Sequence, residues 1–188
     1  SRRLSLVSGL YFAAPQSIAR HADAVRQLFQ PSVWVRDTAV QAVAAARREV
    51  DVLIGVHIRQ GDYRTFAGGL YYYDTTEYLD VMRRVQEVFP GQRLGFIVCS
   101  DTPQDSTAFA DLMVFPGPGT TVPDLYTLAG CDYIIGPPST FSAWASFYGA
   151  VPRFVINWKC EDHFRCPRSE LNLRSFRVDR GDFGGKAG

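Results

Sequence analysis

His57, Arg59 and Asp62 lie close together where the apolar run Val52-Leu53-Ile54-Gly55-Val56 gives out. A buried strand that ends this way delivers charged side chains to the rim of an open α/β sheet, where ligands bind. Strand alternation puts His57 and Arg59 on one side and Ile58 on the other. A guanidinium beside an imidazole at such a rim suits an anionic, phosphorylated ligand, because its planar fork meets two oxygens at once. The plainer alternative is an Arg59–Asp62 ion pair closing a turn, although a turn alone has no need of the histidine.

Two further strand ends carry polar groups. Ser100-Asp101 closes the apolar run that starts at Leu94, and Asp132 opens a third run that leads to Ser139-Thr140-Phe141-Ser142. Hydroxyls and amides at the start of a helix cradle phosphate. Each group also has a simpler reading: Ser139 as an N-cap, Asp132 as part of a Gly-Cys-Asp turn, Asp101 as the cap of a helix beginning at Pro103. An arginine and a helix N-terminus at neighbouring strand ends together favour a diphosphate. Asp62 is the carboxylate nearest this group in sequence, and so the candidate base, with closure of the turn as its other role. Tyr71, Tyr72 and Tyr73 either face a ligand or pack beneath their loop.

These groups need a scaffold, and apolar runs alternating with amphipathic ones predict an α/β fold: a Rossmann-like parallel sheet with flanking helices. The spacing predicts a helix over 15–29, another starting at an Asp37 N-cap and ending at Arg47-Arg48, and a strand over 52–58. A ligand-facing loop covers 63–73. Asp74-Thr75-Thr76-Glu77 has the form of a capping box, and Tyr78, Val81, Met82, Val85, Val88 and Phe89 continue at helical spacing until Pro90-Gly91. Strands are expected over 94–99, 112–115, 133–135 and 153–156. Further helices are expected from Pro103, over 122–129, and from Ser139 to Gly149 with Phe141, Trp144, Ala145 and Tyr148 facing inward. Residues 1–156 read as one α/β domain, and 157–188 as a polar, surface-draped tail.

Composition narrows the class of partner. The chain has 188 residues, 46% hydrophobic and 21% charged, with a formal net charge of +1. That balance provides no broad positive field to recruit nucleic acid or a membrane surface, and no apolar run is long enough to span a bilayer. Cys99 and Cys131 end or begin apolar runs and read as buried thiols. Cys160 and Cys166 flank His163; a disulfide, free thiols and a zinc site are all compatible with that spacing. Cysteine usage leans towards a cytoplasmic location.

The motifs, taken in order, resemble those of a known superfamily. Gly55-Val56-His57-Ile58-Arg59-Gln60-Gly61-Asp62-Tyr63 is similar to the His-x-Arg-Arg-Gly-Asp-Tyr signature of bacterial α1,2-fucosyltransferases. It is also similar to the His-x-Arg element of α1,6- and protein O-fucosyltransferases. Cys131 to Gly136 followed by Ser139 to Ala145 resembles the later Ser/Thr-Phe-Ser motif, Ser100-Asp101 the middle one, and Gly9-Leu10-Tyr11-Phe12 an early Gly-Tyr-Phe segment. The resemblance implies the nucleotide-binding half of a GT-B-like glycosyltransferase, inverting, metal-independent and without a cofactor, with residues 1–156 as its Rossmann-like nucleotide-sugar-binding domain and 1–50 as a remnant of the acceptor-side region. It would transfer fucose from GDP-fucose to a glycan or glycosylated acceptor. It further implies that Arg59 grips the pyrophosphate, that His57 lies against the nucleotide and that Asp132 holds the guanine. Asp101 would bind substrate, and Ser139, Thr140, Phe141 and Ser142 would cradle the phosphates. Gln60 stands where the signature has its second arginine, and the chain is shorter than the family's members. It is therefore either a minimal member or part of a larger enzyme, and the alternative function is a GDP-sugar-binding module without catalysis. A hydrolase is disfavoured, because no Ser or Cys nucleophile occupies a recognisable elbow.

Overall fold

The computed structural model describes residues 15–157, 159 and 176–178. Five strands, β1 (Val52–Ile58), β2 (Leu94–Ser100), β3 (Val114–Pro116), β4 (Tyr133–Gly136) and β5 (Arg153–Val155), form one sheet in the order β3-β2-β1-β4-β5. Every adjacent pair is parallel. This is the expected α/β architecture, and its strand order reverses direction between β1 and β4. The six α-helices among the described residues are α1 (Pro15–Arg20), α2 (Ala22–Leu28), α3 (Val33–Arg47), α4 (Thr75–Val88), α5 (Thr121–Ala129) and α6 (Thr140–Gly149).

The sheet is covered on both faces, which is why β1 reads as an unbroken apolar run. Val52, Ile54, Val56 and Ile58 join Tyr78, Val81, Met82 and Val85 of α4 in the larger core. On the other face Leu53 packs with Ala46 of α3, while Leu128 of α5 and Ala145 of α6 meet Ile134. Gly55 lies under this second layer: a Cβ there would stand 2.7 Å from Leu128 Cδ2. The capping box forms as expected, with Asp74 accepting from the Glu77 N–H and Glu77 from the Asp74 N–H. Cys99 and Cys131 are buried free thiols, also as expected.

Several boundaries differ from the sequence expectation. The first helix is broken at His21, whose N–H is shared between the Ser17 and Ile18 carbonyls. α3 starts at Val33 after Ser32, not at Asp37, because Val35, Ala39 and Ala46 form one buried helical stripe. Asp37 sits within the helix, paired with Arg36. No helix starts at Pro103; a short 3₁₀ turn at Ser106–Phe109 follows instead, capped by Asp105. In α6 the small residues Ser142, Ala143, Ala145 and Ser146 are buried with Phe147, whereas Phe141, Trp144 and Tyr148 are half-buried. Small side chains let this helix lie close to its neighbours, which turns the larger rings sideways. Within the C-terminal region Phe176 enters the core against Tyr133 and Phe154, and Arg177 pairs antiparallel with Arg153, so this stretch is not simply draped on the surface. Residues 9–12, Cys160, His163 and Cys166 lie outside the described residues. Among the described residues no helix is long and apolar enough to cross a membrane.

The α5–α6 contact provides a test of this packing. A Cβ on Gly149 would collide with the Ala129 carbonyl oxygen, a backbone atom that cannot step aside. Gly149→Ala should lose about 1–3 kcal/mol of stability, measured by urea denaturation.

Candidate functional site

Parallel strands end on one edge, and that edge gathers most of the residues singled out from the sequence. Ile58 and Ser100 are register partners at the ends of β1 and β2. Gly136 closes β4 so tightly beside β1 that a Cβ would sit 2.9 Å from the His57 carbonyl. His57, Arg59, Asp62, Asp101, Ser139, Thr140, Phe141 and Ser142 all lie at or just beyond this carboxyl edge.

Asp132 does not. It precedes β4, so it lies at the opposite edge, roughly 13 Å down the strands from His57 at 3.3 Å per residue. There its carboxylate takes two bonds from Arg47, at 3.0 and 2.9 Å, and one from the Leu53 N–H at 2.8 Å. It ties α3 to the start of β1 and has no part in a site at the rim. In a parallel sheet, residues before and after a strand are a strand length apart.

His57 is 4% exposed, its ring tilted on Phe141 with centroids 4.9 Å apart. Among the described residues its Nδ1 has no hydrogen-bond partner. Burial, then the charges of Arg59 and Arg153, push its pKa down to about 3. The imidazole is therefore neutral at physiological pH and offers a hydrogen bond without a charge. Arg153 had no role in the sequence reading. It is a buried arginine at the start of β5 whose Nη1 donates to Ser142 Oγ at 3.2 Å. An arginine inside the apolar segment Val151–Ile156 was the available signal.

Arg59 takes up the pairing expected of a turn. Its Nε and Nη2 donate to the two Asp62 oxygens at 3.0 and 2.8 Å, and its guanidinium covers the Tyr63 ring at 5.1 Å. The pair holds the Asp62 carboxyl below the usual carboxylate range. Tyr63 stands between Arg59 and α6: its hydroxyl donates to the Pro138 carbonyl at 2.7 Å and interacts with the Ser139 side chain. The arginine and the helix start are thus linked through a phenol ring rather than facing across an open gap. Ser139 is the N-cap of α6, its Oγ accepting from the Phe141 N–H at 3.2 Å. Thr140 is exposed beside it, and Ser142 is fully buried.

Gln60 turns inward. Its amide donates to the Tyr73 carbonyl at 3.0 Å, and its Oε1 accepts from Gln104 at 3.0 Å and Thr102 at 3.4 Å. Asp101 clasps the same turn from outside, accepting from the Gln60 N–H at 2.8 Å and the Gly61 N–H at 3.1 Å. It neither caps a Pro103 helix nor leaves both oxygens open to a ligand. Lys159 secures the far side, donating to the Tyr72 carbonyl and to Glu77 at 2.7 Å each, above the buried Tyr73 ring. A cavity of about 690 Å³ opens next to Asp101, between Ser100–Gln104 and Pro116–Gly119, within the size range of small-ligand sites.

Neither a protein-family model nor a curated protein matches the sequence. Among solved structures, the chain resembles NodZ α-1,6-fucosyltransferase from a crystal soaked with GDP-fucose, with a TM-score of 0.47 and 19% identity. That match covers 72% of this chain and 50% of NodZ. It also resembles fucosyltransferase NodZ from Bradyrhizobium, with a TM-score of 0.48 and 16% identity over 76% of this chain and 62% of that one. The chain therefore spans less than two thirds of the length of either.

Two measurements test the site as described. The unfolded chain protonates His57 near its ordinary pKa of 6.5, the folded chain only near 3, so stability is fully present above 6.5 and declines as pH falls through that window. The slope should reach about 1.4 kcal/mol per pH unit, and His57→Phe should flatten it between neutrality and about pH 4.5, above most carboxylate titration. Denaturant melts across that range read it directly. Gln60→Leu removes the amide's bonds and orphans its partners, and should lower stability by about 1–3 kcal/mol in the same assay.

Proposed function

We propose that this chain is the donor-binding part of a glycosyltransferase that transfers fucose from GDP-fucose to a glycan hydroxyl. The observation that carries the reading is that Arg59 and the α6 N-terminus lie on the same carboxyl edge, at the switch point between β1 and β4, joined through Tyr63 and beside a buried neutral imidazole. An open α/β sheet binds its ligand there. The motif resemblance supplies the guanosine and fucose.

In this reading the diphosphate takes Arg59 from Asp62, a carboxylate giving way to a more highly charged anion of similar geometry. The α6 dipole and the Ser139–Thr140 hydroxyls face the same charge. The acceptor oxygen attacks the anomeric carbon, the bond from that carbon to the β-phosphate oxygen breaks, and GDP leaves with the electron pair. Arg59 and the helix start stabilise the charge that develops on it. The acceptor hydroxyl loses its proton to a base. Asp62 is the base in this scheme: once Arg59 has moved to phosphate, it is released from the pairing that depresses its pKa. His57, buried under Phe141, backs the site from within the sheet as a neutral group rather than touching the nucleotide. The cavity beside Asp101 has room for part of the donor. The reaction is inverting and needs no metal in this scheme.

Asp62 also favours a second reading, a GDP-sugar-binding module without catalysis, because a carboxylate held by an arginine is a weak base. Both readings expect GDP and GDP-fucose to raise the melting temperature more than UDP-sugars do; stabilisation by uridine nucleotides alone would overturn both. Turnover of GDP-fucose separates them. Arg59→Ala should abolish most of the GDP-induced shift and lower any transfer by about 10²–10³, with Arg59→Lys recovering little because a point charge lacks the fork. GDP affinity unchanged in Arg59→Ala would remove the basis of the proposal.

A further inference from the structure

The turn that carries Arg59 continues into a short loop whose aromatic residues are arranged for contact. Tyr63 and Phe66 stack with centroids 5.8 Å apart and planes at 19°, and Phe66 and Tyr71 with centroids 5.9 Å apart and planes at 28°. Phe66 is nonetheless 54% exposed and neighbouring Leu70 38% exposed. The backbone that presents them is unusual: Ala67, Gly68 and Gly69 occupy the left-handed region in succession, with φ of 49°, 67° and 80°. An alanine in that region is strained and persists where its surroundings impose it. Here Tyr63 is fastened to Pro138 and Lys159 to Tyr72, so both ends of the loop are pinned.

We propose that the Phe66–Tyr71 stack is an acceptor subsite that takes the apolar C–H face of a pyranose ring; the proposal rests on the glycosyltransferase reading and assigns its acceptor side. The rings begin one stacking distance from Tyr63, which itself lies under the Arg59 guanidinium, so a sugar on Phe66 lies next to the proposed donor phosphates. Exposed Asp62, Arg64 and Thr65 border the rings with the acceptors and donors that sugar hydroxyls require. The apolar area at this loop amounts to Phe66 and Leu70, which fits a sugar ring and falls far short of a protein interface. Stacking on flat rings with polar groups at the edge is selective for a ring with one C–H face and a hydroxylated rim.

The test is saturation-transfer NMR on the whole chain, with and without GDP, using mono- and disaccharides of glucose, galactose, mannose and N-acetylglucosamine as probes. At least one probe should receive saturation on the protons of one ring face. Phe66→Ala should abolish the effect, and Phe66→Tyr should restore it. With a turnover assay in hand, Phe66→Ala should raise the acceptor KM by about tenfold, the equivalent of one aromatic contact, while the GDP-induced thermal shift persists. Absence of saturation transfer to every probe would overturn the subsite, as would transfer that survives in a folded Phe66→Ala protein. Loss of GDP binding with sugar contact retained at Phe66 would instead remove the donor reading and leave the subsite standing.

Discussion

All seven residues of β1 are buried, because the strand is flanked by β2 and β4 and covered by helices on both faces. Nothing charged can be tolerated along such a strand without a partner, so polar chemistry is excluded until the strand runs out. His57 is the first polar side chain reached and survives burial by staying neutral. Arg59, two residues on, is the first that reaches solvent. The rim chemistry therefore follows from the central position of β1 rather than from any property of the loop alone.

The loops around that rim are held by a small polar network. Asp101 grips the Gln60–Gly61 turn from β2, and Gln60 reaches under it to Tyr73, Thr102 and Gln104. A glutamine performs this work where a second arginine would bring a charge into a buried place. Tyr63 then joins the turn to the start of α6. The Arg59 turn and the α6 start are thus fixed relative to each other before any ligand arrives, and only the guanidinium has to exchange Asp62 for a ligand.

Much of this was legible from residue types and spacing. The β1 run, the capping box at Asp74 and Glu77, and the order of strands and helices, apart from the helix expected at Pro103, followed from periodicity and turn chemistry. Asp132 was misplaced because its neighbourhood in sequence, just before a strand that ends in the Ser139 motif, hides the fact that a parallel strand carries its two ends to opposite edges. On the inward face of α6 Ala145 is buried as expected, but close helix packing puts Ser142, Ala143 and Ser146 beside it in place of the rings of Phe141, Trp144 and Tyr148. Arg153 and Gln60 acquire their roles from partners eleven and more than ten residues away, and no local pattern announces such contacts. The Arg59–Asp62 pair was readable as an alternative, and local spacing alone explains it.

That pair has a consequence for selectivity. Arg59 is already satisfied by two carboxylate oxygens, so an incoming anion gains only the difference between itself and Asp62. Chloride or a simple carboxylate offers little or no advantage over the occupant and leaves Asp62 stranded. In the proposed reading, a group bearing more charge and able to engage the helix start as well outcompetes it. On that reading the resident aspartate is a threshold that weak anions do not cross, without any steric gate.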